Sequence, residues 1–219
     1  MSATTATLPK PRWRGRLHQL AFFFSIPQGI VLLMAAGADW VSRAGAGVYA
    51  LSLAGLYGVS ASYHRLKWTP PALSRMRRLD HSMIFVLIAG TYTAVSLLAL
   101  EGWWATGLLI AIWAGAAVGI FLKIFGLEKT RKITGGMYIG LGWVAVLAAP
   151  QFVAQVRPLV LGLIIFGGVL YTGGAIILSL KRPNPNPYVF GYHEVWHVMV
   201  VAASLCHYAA IMLLVVDRV

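Results

Sequence analysis

Seven long apolar stretches, separated by short connections that hold most of the charge, limit what this chain can fold into. A membrane-spanning helix needs about 17–25 mostly apolar residues. Residues 17–36, 44–63, 82–100, 103–125, 136–152, 158–180 and 193–216 each have that length. Only 11% of the 219 residues are charged and 59% are hydrophobic, whereas a soluble domain carries about 25% charged residues. So little polar surface cannot cover a globule in water, so the solvent is lipid. Residues 1–219 therefore read as a single all-α domain, a polytopic seven-transmembrane-helix bundle. Residues 1–16 form a basic N-terminal arm.

The basic residues fix an expected orientation. Fifteen of the 18 Lys and Arg fall in alternate connections on one side. These are Lys10, Arg12, Arg14 and Arg16; Arg65, Lys67, Arg75, Arg77 and Arg78; Lys123, Lys129, Arg131 and Lys132; and Lys181 and Arg182. Only Arg43, Arg157 and Arg218 fall on the other. Positive charge stays inside, which predicts a cytoplasmic N-terminus and an external C-terminus. A positive balance encoded this way points to topology, not to nucleic acid. The basic start followed by residues 17–36 lacks a small-residue cleavage site and reads as an anchor, not a removed signal. The single cysteine, Cys206, excludes an intrachain disulfide and a CxxC-type zinc motif. Gly136-x-x-x-Gly140 is expected to be a helix-packing face. Trp40, Trp68, Trp103 and Trp104 are expected to be interfacial anchors.

Ionisable side chains inside a span are costly and are functional candidates by default. The predicted orientation brings three such groups to the cytoplasmic ends of three spans. The second span ends with Ser60 and His64, the third begins around Asp80 and His81, and the seventh begins with His193-Glu194-Val195-Trp196-His197. Residues four apart share a helix face, so His193 and His197 form a pair, as do Ser60 and His64. Three neutral imidazoles, His64, His193 and His197, leave the fourth position of a tetrahedral zinc open, as in catalytic sites. Asp80 could ligate the metal or hydrogen-bond its water, and Ser60 could orient that water or a substrate carbonyl. The competing reading is a purely structural hydrogen-bond cluster.

H-E-x-x-H is also the zinc-protease motif, with the glutamate as general base. An intramembrane protease needs a further carboxylate ligand, and only Asp217 follows, at the opposite face. At a helix start Glu194 also suits the helix dipole. His207 lies about 15 Å along the helix from His197 at 1.5 Å per residue, too far to share an ion, and is expected to pack between helices. The same packing role is expected of Tyr57, Tyr92 and Tyr138. His81 is turned about 100° from Asp80, so the two do not face one ion. His18 is grouped with the basic arm.

Ser60-x-x-x-His64, Leu79-Asp80-His81-Ser82 leading into Ile88-Ala89-Gly90-Thr91-Tyr92-Thr93, and Phe190-Gly191-Tyr192-His193-Glu194-Val195-Trp196-His197 together resemble the haemolysin III-type proteins. These are the bacterial branch of the progestin and adipoQ receptor family, and the likeness covers nearly the whole chain. It implies a seven-helix bundle with a cytoplasmic N-terminus in a bacterial inner membrane. It also implies zinc on His64, His193 and His197, with Asp80 near the zinc water and Ser60 in the place of the motif serine. The wider superfamily includes alkaline ceramidases, which hydrolyse a lipid amide at a similar site. The long N-terminal extension of the animal receptors is missing, so hormone binding does not carry over.

Three functions compete. The first is a zinc-dependent hydrolase of a lipid amide or ester, with the bilayer and a lipid substrate as partners. The second is a non-catalytic membrane-homeostasis or sensor protein stapled by zinc. The third is a pore-forming haemolysin, disfavoured because the outer halves of the spans are almost wholly apolar. Neither a nucleic acid nor a protein partner is expected.

Overall fold

A computed structural model describes residues 10–126 and 130–218. Residues 1–9 of the predicted arm, and Lys129, lie outside the described residues. The described chain is helical, with one isolated antiparallel bridge between Asn186 and Phe190. The helices are α1 (Arg16–Ala35), α2 (Trp40–Arg65), α3 (Pro70–Ala99), α4 (Gly102–Gly126), α5 (Arg131–Trp143), α6 (Ala149–Gln155), α7 (Pro158–Leu180) and α8 (Tyr192–Arg218). A 3-10 segment, Val144–Ala148, joins α5 to α6. Seven segments are long and apolar enough to cross a membrane, the fifth being the composite Lys132–Gln155. Neighbours in sequence pack side by side from α1 to α4, α7 lies along α8, and α8 closes the bundle against α1, α2 and α3. The outer surface is apolar: Phe23, Phe24, Met34 and Leu51 are 63–76% exposed, which suits acyl chains and not water.

Helices α2, α3 and α5 each begin four or more residues earlier than the apolar runs predict. Asp39 caps α2, accepting hydrogen bonds from the backbone N–H of Val41 (3.3 Å) and Ser42 (3.1 Å) and from the Ser42 hydroxyl (2.6 Å). The bond from the Ser42 side chain, then that from its backbone, holds the Asp39 carboxyl below its ordinary range. Helix α3 begins at Pro70 and not near residue 82, with Pro in the first turn, where its missing N–H costs nothing. Arg75, Arg77 and Arg78, read as connection, are therefore helical. Apolar length marks only the part of a helix that sits in hydrocarbon. Arg78 Nη1 donates to the Ile124 carbonyl at 2.8 Å, satisfying an orphan acceptor at the end of α4.

Close backbone approach holds α2 to α3. A Cβ on Gly45 would lie 3.2 Å from Ala94 Cα, and one on Gly90 would overlap the Ser52 side chain. The predicted packing face on α5 is not one. A Cβ on Gly135, Gly136, Gly140 or Gly142 meets nothing within 4 Å. Small residues permit close approach but do not compel it, and here the partner helices lie elsewhere.

The fifth span is broken, and its break is mended from α3. Tyr92 donates its hydroxyl hydrogen to the Gly142 carbonyl (2.8 Å) and accepts from the Ala145 N–H (2.9 Å). Unpaired backbone groups cost several kcal/mol in lipid, so this one hydroxyl supplies what the α-helix gives up. Tyr138 on α5 donates to the His81 carbonyl at 2.8 Å, and Trp143 Nε1 donates to Thr172 Oγ1 on α7 at 2.9 Å. The predicted packing tyrosines thus bond as well as pack.

Gly90→Val should lower the stability of detergent-purified protein by about 1–3 kcal/mol through overpacking at the α2–α3 contact. Gly136→Ala and Gly140→Ala should change it by no more than about 1 kcal/mol, towards greater stability. Thermal unfolding of the three variants reads the contrast.

Candidate metal centre

One end of the bundle, where the predicted basic connections lie, gathers imidazoles from three helices. The end of α2 carries Ser60 and His64, the start of α8 carries His193 and His197, and the start of α1 carries His18. His64, His193 and His197 each offer a donor atom within 4.8 Å of the other two. Nε2 of His193 lies 3.2 Å from Nε2 of His64. The His193 ring meets those of His64 and His197 edge-on, with centroids 4.9 and 4.6 Å apart.

These residues fit a zinc ion. Nitrogens bound at 2.0–2.1 Å in a tetrahedron stand about 3.3 Å apart, and Nε2 of His64 and Nε2 of His193 have nearly that spacing. Nδ1 of His197, a residue 2% exposed, is buried without a hydrogen-bond partner among the described residues. A buried polar atom left unmatched costs about 1–3 kcal/mol. An ion completes such a set where further protein groups do not.

The remaining predicted site residues are distributed unevenly. Ser60 is buried, with Oγ 2.8 Å from Nδ1 of His18. Asp80 is not in the three-histidine group. Its Oδ2 lies 3.3 Å from Nδ1 of its neighbour His81, so the two groups that do not share an ion face each other. His207 packs between α7 and α8, its Nε2 3.2 Å from the Ile164 carbonyl and its ring against Gly167.

His18 is a correction to the sequence reading. It belongs to α1, not to the arm, and is 3% exposed. Its ring lies parallel to that of His197, with centroids 3.8 Å apart and an 8° tilt. Beside the basic arm it looked like part of a solvated charge cluster. The overlooked signal was a stripe on an otherwise apolar helix, His18, Ser25, Gly29 and Leu32, which are its buried residues.

Glu194 is fully occupied. Its Oε2 accepts the Gly191 N–H at 2.9 Å, the reach-back half of a capping box at the third helical position. Its Oε1 accepts Arg14 Nε at 2.5 Å. The Glu194 side chain has no exposed surface, and its two oxygens serve the fold, which removes the geometry of a protease base. Arg14, also missed in the sequence, anchors a strap. The N–H groups of Arg12 and Trp13 donate to the carbonyls of Tyr188 (3.0 Å) and Val189 (3.1 Å). Gly15, at φ 78°, then brings the chain so close to His64 that a Cβ would stand 2.6 Å from His64 Cβ. Only glycine meets both demands.

The chain is similar in sequence to known proteins over most of its length. A family model described as "Haemolysin-III related" matches residues 6–208. "Hemolysin-3" of Bacillus cereus is 32% identical over 189 residues, covering 85% of this chain and 83% of that protein. "Hemolysin-3 homolog" of Bacillus subtilis (strain 168) is 31% identical over 194 residues, covering 85% of each. A more distant similarity, 26% over 189 residues, covers 84% of this chain and 75% of the human "Monocyte to macrophage differentiation factor".

Purified protein should carry zinc that His197→Ala lacks, by elemental analysis after gel filtration. Equal metal in the two would remove the centre. Arg14→Ala should destabilise by about 3–5 kcal/mol, because it strands a buried carboxylate. Arg14→Ala combined with Glu194→Gln should recover part of that loss in thermal unfolding.

Proposed function

This chain belongs to the haemolysin-III related family of integral membrane proteins, and on that premise we propose that it is a zinc-dependent hydrolase of a lipid amide or ester. The observation that carries the reading is the convergence of three imidazoles on one point with no fourth protein ligand among the described residues. That donor set suits a metal with an open position.

His64 from α2 and His193 and His197 from α8 hold the ion in this reading. Bound zinc supplies a Lewis acid that polarises a carbonyl and makes water acidic near neutral pH. Ser60 directs its hydroxyl at the substrate carbonyl oxygen. Asp80 takes the proton released as water adds to the carbonyl carbon, and returns it to the amine or alkoxide that leaves when the C–N or C–O bond breaks. The apolar flanks of α1 and α2 keep the acyl chain in lipid while its polar head meets the centre. We further propose that the face bearing 15 of 18 basic residues is cytoplasmic and the membrane a bacterial inner membrane.

A second reading, a metal staple without turnover, draws support from the ligands' origin on α2 and α8, helices far apart in sequence. A pore finds less support, since Tyr49, Phe85, Ile112 and Ile211 fill the interior with 0–1% exposure.

The separating experiment incubates zinc-loaded protein with extracted bacterial lipids and ceramide-like amides and follows product by mass spectrometry. Hydrolysis that chelation abolishes and zinc restores is the expected result. A lower unfolding temperature on chelation, with no product from any lipid class, would leave the staple.

A further inference from the structure

Two histidines outside the metal-ligand set invite comparison, His207, which is half-buried, and His18, which is buried. His207 bonds to a backbone carbonyl, that of Ile164, and packs against Gly167. These are the contacts of a histidine that holds helices together. His18 differs in both respects. Its Nδ1 meets the hydroxyl of Ser60, one turn before His64 on α2, at 2.8 Å. One face of its ring covers His197 at 3.8 Å, nearly parallel. Tyr57 adjoins it with ring centroids 5.1 Å apart. Its Nε2 is buried with no hydrogen-bond partner among the described residues.

The unpaired Nε2 bears on the tautomer. Were Nε2 protonated, a donor would be buried without an acceptor, the rarer and costlier case. With the proton on Nδ1, His18 donates to Ser60 Oγ and leaves the serine hydrogen free for another acceptor. Ser60 is then a donor whose hydrogen is directed away from His18.

We propose that His18 is a positioning residue of the centre: Nδ1 aims the Ser60 hydroxyl, and the stacked ring braces the metal ligand His197. It contributes as a neutral imidazole from a helix that supplies no ligand. The bracing of His197 stands on the metal centre alone. The aiming of Ser60 rests on the hydrolase reading.

Two substitutions separate the two roles. His18→Phe keeps a ring against His197 but removes Nδ1. His18→Asn keeps a polar atom near the Nδ1 position but removes the ring, and His18→Ala stands in if that variant does not fold. Zinc affinity, measured by chelator competition on detergent-purified protein, should stay within about 3-fold of the starting protein in His18→Phe. It should fall about 10–100-fold in His18→Asn, as when an outer partner of a metal ligand is lost. At saturating zinc, kcat on a cleaved lipid amide should fall about 100-fold in His18→Phe with KM little changed, the scale of losing one aimed donor. His18→Asn should keep most of its kcat, and His18→Phe combined with Ser60→Ala should be no slower than Ser60→Ala. Equal zinc affinity in all three proteins overturns the bracing role. Undiminished kcat in His18→Phe, or additive losses in the double variant, overturns the aiming role. If the unsubstituted protein cleaves no lipid, the hydrolase reading and the aiming of Ser60 fall together, and the zinc affinities alone decide the bracing of His197.

Discussion

Hydrocarbon offers no hydrogen bonds, so every polar group carried into it must find its partner within the protein. That requirement explains more of this structure than apolar burial does, because burial distinguishes little between a helix flank and a lipid tail. Thr91 and Thr93 return their hydroxyls to the carbonyls one turn earlier, those of Leu87 and Ala89. Trp113 Nε1 finds Thr93 on the neighbouring helix. Tyr57 and Ser204 share a short hydrogen bond, and the Tyr49 hydroxyl reaches the Ser204 carbonyl, joining α2 to α8. The last three are specific ties between particular helices, and together they select one arrangement among many that would pack equally well.

The ring nitrogens at the basic end are among the buried groups where this self-sufficiency stops, as are Ser96 Oγ and His207 Nδ1. His18 Nε2 and His197 Nδ1 remain without hydrogen-bond partners among the described residues, while Glu194, three residues before His197, is fully bonded. H-E-x-x-H here marks two different jobs on one turn of helix. The histidines present ring nitrogens to a shared point, and the glutamate caps the helix that carries them and holds the strap to it.

Much of this was legible in the chain. Seven apolar runs of spanning length predicted seven spanning segments, because lipid leaves a helix no alternative in that length. His64, His193 and His197 could be grouped from helical spacing and alternation of direction alone, and the structure brings them together. What escaped depended on direction rather than depth. Gly136 and Gly140 were read as a packing face that the structure does not show, because small residues permit a close approach without naming a partner. The early start of α3 was hidden because its first turns lie among charges. His18 was hidden likewise, since a histidine next to arginines looks solvated until the far wall of its pocket, Ser60 and His197, is known. Orientation across the bilayer rests on charge distribution alone.

His193 and His64 are separated by 129 positions, and Arg14 and Glu194 by 180. Two of the three ring donors belong to α8, which follows α1 to α7 in the chain. A ribosome-bound chain with α1 to α7 already inserted therefore presents one imidazole where three are needed. The centre comes into being only when α8 docks, so occupancy by an ion would report that docking of this helix is complete.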